Sequence, residues 1–301
     1  MSIEALATTQ ARALVINCST RHLSTLAVAS ILAHTPLDVL LVDCESTDGS
    51  LEHFSRLRDR LDGRLEVASL PLRPHGETLD RVVREVPSDR LLLVDSDLEI
   101  LHPGIYEAMC NRLASEDLYG SGLLHRGGWM SRESHGLANG TTYYMDRMWI
   151  PLSLLDVART RRVLDAGASF AADREYRGGV LGARIARMLS WRFRAPGLRD
   201  LPWLLERRRY DAADPSVREY DTGARVHERA LAMGYHFGEI SSAHYLDVNH
   251  VEGATRAARR GLARRILVGT GLLPAGVERS ADGNEDRAIA RLREIYPTLL
   301  S

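Results

Sequence analysis

The sequence predicts an α/β fold, a mainly parallel central sheet flanked by helices. Three observations predict it. Short apolar runs recur at residues 13–16, 39–42 and 91–94. They are too short for helices and read as strands buried on both faces. Segments with helical spacing separate them. Each run stops at small polar or acidic residues: Asn17-Cys18-Ser19-Thr20, then Asp43-Cys44-Glu45-Ser46, then Asp95-Ser96-Asp97. Ligands of open α/β sheets bind beyond the carboxyl ends of the strands, so these three turns are where a site is expected.

The elements follow in order. Residues 1–11 are polar and alanine-rich and read as a loosely held terminus. After the first strand, Leu23, Leu26, Ala27, Ser30 and Ile31 share a helical face, and Thr35-Pro36 ends that helix. The second strand leads through a polar turn at 43–50 into a helix carrying Leu51, Phe54, Leu57 and Leu61 on one side. Residues 64–70 form a third strand, 78–86 a third helix, and the Leu91 strand follows. This alternation is the signature of strand–helix–strand units. Further on, Tyr119-Gly120-Ser121-Gly122 and Gly127-Gly128-Trp129 read as loops, either ordinary surface loops or places where a ligand approaches backbone closely. Residues 149–152 read as a strand, 154–164 as a helix, Val226 to Met233 as a helix ending at Gly234, and 285–296 as a last helix.

Composition narrows the chemistry. The chain has 301 residues, 45% of them hydrophobic, enough for a substantial core. Its net charge of -1 does not suggest a nucleic-acid binder. All 39 basic residues are Arg. Without Lys there is no Schiff-base lysine and no P-loop lysine, so phosphate must be held by Arg, His, backbone N–H groups or a metal. Cys18, Cys44 and Cys110 are odd in number and form no C-x-x-C pair, which fits a reducing cytoplasm better than a disulfide framework. No signal-peptide pattern and no apolar run of membrane-spanning length occurs. Residues 177–209 are dense in Arg and apolar groups. Such a stretch packs inside, meets a second copy of the chain, or lies peripherally on an anionic membrane.

Asp95-Ser96-Asp97 carries the strongest chemical signal. An Asp-x-Asp triplet turns up roughly once by chance in a chain of this length, so its position carries the reading. Two carboxylates one residue apart, directly after a buried strand, can grip a hard cation and through it a diphosphate. Late in the chain stand His244 and His250 with Asp247 between them. Imidazole joins carboxylates readily on Mn2+-like ions. Extended alternation would put both histidines on one side of a strand, so either could be the ligand; His250, which ends the run, is favoured. Asp221 stands before a helical pattern, where an N-cap would sit.

The stretch Leu41-Val42-Asp43-Cys44-Glu45-Ser46-Thr47-Asp48-Gly49-Ser50 resembles the Asp-Asn-x-Ser-Thr-Asp-Gly-Ser turn of GT-A fold glycosyltransferases, close to the broad family 2 type. His75-Gly76-Glu77-Thr78-Leu79-Asp80 resembles that family's segment opening the helix before the Asp-x-Asp strand. The match covers about the first third of the chain, in the family's order. It departs at Asn17-Cys18-Ser19-Thr20, where the family has Pro-x-Tyr-Asn; Cys18 or Thr20 takes the aromatic's place.

The resemblance implies a single GT-A (Rossmann-like, nucleotide-diphospho-sugar transferase) domain over 1–301, with a nucleotide-sugar half at 12–125 and an acceptor half at 126–301. It implies a donor site of Asn17, Ser19, Thr20, Asp43, Asp95 and Ser96, with Asp43 on the base. A divalent cation, Mn2+ or Mg2+, would sit on Asp97 and His250. Asp221 would be the base for the acceptor hydroxyl, with Glu219 as the alternative. An arginine of 251–267 could face the leaving diphosphate. The partners implied are a nucleotide-diphosphate sugar and a hydroxyl acceptor on a glycan, lipid or secondary metabolite. Inversion follows if Asp221 is the base; a retaining enzyme could share every donor-side residue. Two other classes fit the same sheet. A sugar nucleotidylyltransferase would carry a Gly-rich, Lys-containing loop after the first strand, which this chain lacks. A non-catalytic nucleotide-sugar-binding protein would bind without transfer.

Overall fold

A computed structural model gives the fold, and the described residues are 3, 6–114, 117–126, 129–131, 141–144, 146–176, 217–250 and 282–299. The strands are β1 (Thr9–Asn17), β2 (Asp38–Cys44), β3 (Leu65–Leu70), β4 (Ser88–Val94), β5 (Leu98–Ile100), β6 (Leu118–His125), β7 (Trp129–Ser131), β8 (Thr141–Tyr144), β9 (Arg147–Asp156), β10 (Asp173–Tyr176), β11 (Val217–Tyr220), β12 (His236–Glu239) and β13 (Val248–His250). The helices are α1 (Arg21–His34), α2 (Ser50–Arg60), α3 (His75–Glu85), α4 (Gly104–Leu113), α5 (Val157–Asp165), α6 (Ala224–Ala232) and α7 (Asp282–Ile295).

The central sheet has seven strands in the order β12-β6-β9-β4-β1-β2-β3. Only β9 runs against the rest, pairing antiparallel with both β4 and β6. The expected α/β class, a mainly parallel sheet flanked by helices, is the one adopted. Both faces are buried because alternate side chains feed different cores. From β1 and β4, Ala13, Val15, Leu92 and Val94 join α1, α2 and α4 on one face. Leu14, Leu91 and Leu93 join α3, α5 and α6 on the other. Truncating one of the fully buried leucines to Ala would cost about 2–5 kcal/mol.

Several local expectations change. Tyr119-Gly120-Ser121-Gly122 is not a loop but the middle of β6. Gly120 is needed there because a Cβ would come 3.0 Å from the Leu154 carbonyl oxygen. Gly122, at φ +150°, lies where β6 shifts register against β9. The helix expected from 154 starts three residues later, because β9 continues to Asp156, whose carboxylate caps α5 through Arg159 N–H at 2.8 Å. Among the described N-terminal residues, Ile3 and Leu6 are held rather than loose, buried in the α3 face of the core. The run before His250 is a 3-10 turn over Ser242–Asp247, not a strand. The final helix starts at Asp282 and packs Ala288 and Leu292 onto Leu23, Leu26 and Ala29 of α1. This explains why α1 is buried continuously from Leu23 to Ile31 instead of along one stripe.

His227 of α6 is buried and meets the Tyr119 hydroxyl at 2.7 Å. Burial, with the Arg126 charge, lowers its pKa to about 4 despite an opposing pull from Asp146. The folded protein therefore holds it neutral while the unfolded chain protonates it near 6.5. Its contribution to stability is complete above that value and is lost as pH falls towards 4, by about 3 kcal/mol in all. Denaturant midpoints measured from pH 7 to pH 4.5 should fall less steeply for His227→Gln than for wild type. Equal slopes would show that His227 is not held neutral.

Candidate active site

The site is built where β2, β1 and β4 end side by side. Asn17 pairs with Asp43 in the parallel register, and Val15 pairs with Val94. The three polar turns therefore leave the sheet at one level, as the sequence predicts.

Asn17 is fully buried and organises the first two turns. Its side-chain N–H group donates to Asp43 Oδ1 at 2.7 Å and to Ser46 Oγ at 2.9 Å. Its Oδ1 accepts from the Thr20 hydroxyl at 3.0 Å, the Ser24 hydroxyl at 2.8 Å and Thr20 N–H at 3.3 Å. Asp43 Oδ2 accepts from Ser46 N–H at 3.1 Å. Ser46 Oγ also accepts from Ser19 N–H at 2.9 Å, and Ser19 Oγ from Thr47 N–H at 3.1 Å. Ser19 and Glu45 both adopt positive φ, 55° and 50°, where few side-chain-bearing residues go. The two turns are thus laced into one rigid rim. Thr20 is buried with its hydroxyl turned inward, while Cys18 is half-buried against the core.

Beyond β4, Asp95, Asp97 and His250 bring one ligand atom each to within 4.8 Å of one another. His250 Nε2 lies 3.4 Å from Asp97 Oδ1. The placement has a local cause. β5 begins straight after Asp97 and pairs antiparallel with β13, which sets His250 opposite Leu98. Trp149 stands edge-to-face against the His250 ring at 5.5 Å. His244 goes elsewhere, bonding Asp247 at 2.5 Å. Ser96, between the two carboxylates, is buried. Burial pushes the Asp95 carboxyl above the ordinary carboxylate range, and repulsion from Asp97 adds to it; His75, His250 and Arg147 pull the other way. Two carboxylates held against each other beside an imidazole are a donor set suited to a divalent cation, which would relieve that repulsion.

No protein-family model matches the chain, and no curated protein is significantly similar to it. Solved structures are. The mannosyltransferase PcManGT of Pyrobaculum calidifontis, in complex with GDP-Man and Mn2+, aligns over 98% of this chain and 72% of its own, at 13% identity and a TM-score of 0.48. S. aureus TarS 1-349 in complex with UDP aligns over 96% and 73%, at 14% identity and a TM-score of 0.38. Glucosyl-3-phosphoglycerate synthase of Mycobacterium tuberculosis, with Mn2+, UDP-glucose and glycerol 3-phosphate, aligns over 52% and 60%, at 18% identity and a TM-score of 0.36.

Asp221 follows β11 and precedes α6, but it is not the N-cap. Gly223 takes that place at φ +82°, where Asp221 could not sit without strain. The Asp221 carboxylate instead accepts from Thr222 N–H at 2.8 Å and from Arg147 Nη2 at 2.9 Å. Arg147 opens β9, is largely buried, and acts electrostatically on Asp95 as well. It therefore links the Asp221 turn to the carboxylate pair. Nothing in the local sequence marks Arg147, because its partner lies 74 positions away. His75 was also unmarked as a site residue. It opens α3 and lies 3.9 Å from Asp95 Oδ1. Glu219, the alternative base, lies in β11.

The His75–Asp80 segment supports this arrangement by packing. A Cβ on Gly76 would stand 2.3 Å from the Phe170 carbonyl oxygen and 2.4 Å from Ala171 backbone atoms. Asp80 accepts from Phe170 N–H at 2.8 Å and from the Ser169 hydroxyl. The Phe170 carbonyl in turn accepts from Gly223 N–H at 3.0 Å. Gly76 thus lets α3 press on the segment that holds the Asp221 turn. Gly76→Ala should destabilise the fold by about 1–3 kcal/mol or more, because backbone rather than a side chain must move. Chemical denaturation would read this, and an unchanged midpoint would contradict it.

Among the described residues no helix is long and apolar enough to cross a membrane. The 177–209 stretch, Gly127-Gly128 and the arginines of 251–267 lie outside the described residues.

Proposed function

We propose that this chain is a GT-A fold glycosyltransferase that moves a sugar from a nucleotide-diphosphate donor to an acceptor hydroxyl, with inversion. The observation that carries the reading is the Asp95, Asp97 and His250 cluster at the carboxyl edge of the sheet, beside the Asn17–Asp43 rim. Asp97 and His250, with Asp95 beside them, would hold Mn2+ or Mg2+. When bound, such an ion supplies positive charge where the diphosphate departs.

The chain's own residues supply the rest. Asp43 meets the base of the nucleotide, and Asn17 fixes its carboxylate from behind. Ser19, Thr20 and Ser96 shape the floor on which ribose and diphosphate rest. Asp221 receives the acceptor proton as the acceptor oxygen bonds the anomeric carbon and the bond to the diphosphate oxygen breaks. Arg147, 2.9 Å away, holds that carboxylate in place. A weak base suffices, because the hydroxyl becomes acidic only as the new bond forms.

The test is incubation with a panel of nucleotide sugars and Mn2+, following the released product. Slow release of a nucleoside diphosphate from one donor, accelerated by a hydroxyl acceptor, is expected. Pyrophosphate release would instead mark a nucleotidylyltransferase, and binding without turnover a non-catalytic nucleotide-sugar-binding protein.

A further inference from the structure

β5, which follows Asp97 directly, carries a further carboxylate. Two residues on, Glu99 is almost wholly buried although it is a carboxylate. Such a group needs a partner. Its Oε1 accepts from Arg291 Nε of α7 at 3.0 Å, and its Oε2 from Asn249 Nδ2 at 3.4 Å. Asn249 is the residue opposite Glu99 in the β5–β13 ribbon and the immediate neighbour of His250. Burial and the Glu99 charge also raise the pKa of Tyr296, just past α7.

The same helix grips the other side of the site. Glu285 accepts from His22 N–H at 3.1 Å and meets the His22 ring at 2.6 Å. His22 is in the first turn of α1, so Glu285 satisfies a donor that has no partner within its own helix. That turn follows directly on Asn17–Thr20. α7 therefore touches the ribbon that carries His250 and the helix that leaves the donor rim.

We propose that Glu99 is a positioning residue for the metal site, with α7 as the strut on which it acts through Arg291. The inference rests on the metal-site reading above. The ribbon is only three residues wide on each strand, and a ribbon that short does not hold a side chain to within ångströms unaided. The Glu99–Arg291 pair fixes the ribbon's tilt, and so the approach of His250 to Asp97. Groups bonded directly to a metal ligand commonly govern affinity by about 10–100-fold; Glu99 and Arg291 act one step further back, through Asn249 and the ribbon, so the lower end of that range is expected.

The experiment is a Mn2+ titration of the full chain, followed by the electron paramagnetic resonance signal of free Mn2+. Wild type, Asp97→Asn, Glu99→Gln, Arg291→Met and Arg291→Lys are compared. Arg291→Met leaves the buried Glu99 carboxylate without its cation, whereas Glu99→Gln removes the charge itself, and circular dichroism verifies that each variant is folded before titration. Asp97→Asn should lose binding. Arg291→Met and Glu99→Gln should bind about 10-fold more weakly, and Arg291→Lys should recover part of the loss. A general loss of stability cannot mimic this: a variant that is almost wholly folded keeps its apparent affinity. Wild-type affinity in Arg291→Met and Glu99→Gln, with binding lost in Asp97→Asn, would overturn the strut alone. Equal Mn2+ binding by wild type and Asp97→Asn, or none by wild type, would overturn the metal-site reading and the strut with it.

Discussion

Asp97→Asn should abolish the rise in melting temperature that Mn2+ with the donor's nucleoside diphosphate gives wild type. Asp97 is buried, lies 3.4 Å from His250, and is the carboxylate that the β5–β13 ribbon holds in place. The amide keeps the shape and removes the charge. A ligand at 100 times its dissociation constant stabilises the native state by about 2.7 kcal/mol, which for a chain of this size is a shift of several degrees. The variant should show almost none of it, and turnover should fall about 10³-fold, roughly 4 kcal/mol of transition-state stabilisation. Two measurements check this, a melting curve with and without Mn2+ and an initial rate. A variant that melts and turns over like wild type would remove the metal from the proposal.

The second large effect is expected at Asp221. Asp221→Asn should lower the transfer rate about 10²–10⁴-fold, the range usual for a positioned general base. Donor binding should be retained, since the Asn17–Asp43 rim and the carboxylate pair are untouched, so kcat falls while the donor KM stays. Arg147→Met should cost less, because the base remains but loses its partner 2.9 Å away. The double variant should be little worse than Asp221→Asn alone, since residues in one ion pair do not act additively. Full additivity would mean that Arg147 works elsewhere. Unimpaired transfer by Asp221→Asn would point to Glu219 as the base or to a retaining mechanism.

The carboxyl edge of the sheet was legible because its signals are local. A four-residue apolar run cannot be a helix, and polar residues at its end cannot be core. Asp43, Asp95 and Asp97 were therefore placed from their neighbours alone. The β6 segment was misread for the same reason. Glycines suit loops, and only the crowding of Leu154, Leu155 and Phe237 around Gly120 shows why a buried strand needs one. The Asp221 turn was placed, but its cap was not, because a positive φ at Gly223 is a backbone fact.

By itself, the sequence determined the alternation of strands and helices, and hence the mainly parallel sheet with acidic turns at its carboxyl edge. Periodicity and strand-end chemistry act over a few residues, so no partner is needed to read them. Only the tertiary structure decided which histidine joins the carboxylates. His244 and His250 are equivalent in pattern; what separates them is the pairing of β13 with β5 and the 3-10 turn that carries His244 to Asp247. It alone decided that Arg147 holds Asp221 and that Arg291 holds Glu99, pairs 74 and 192 positions apart. A buried charge must find an opposite charge, but burial is a property of the assembled fold, and no window of sequence contains it.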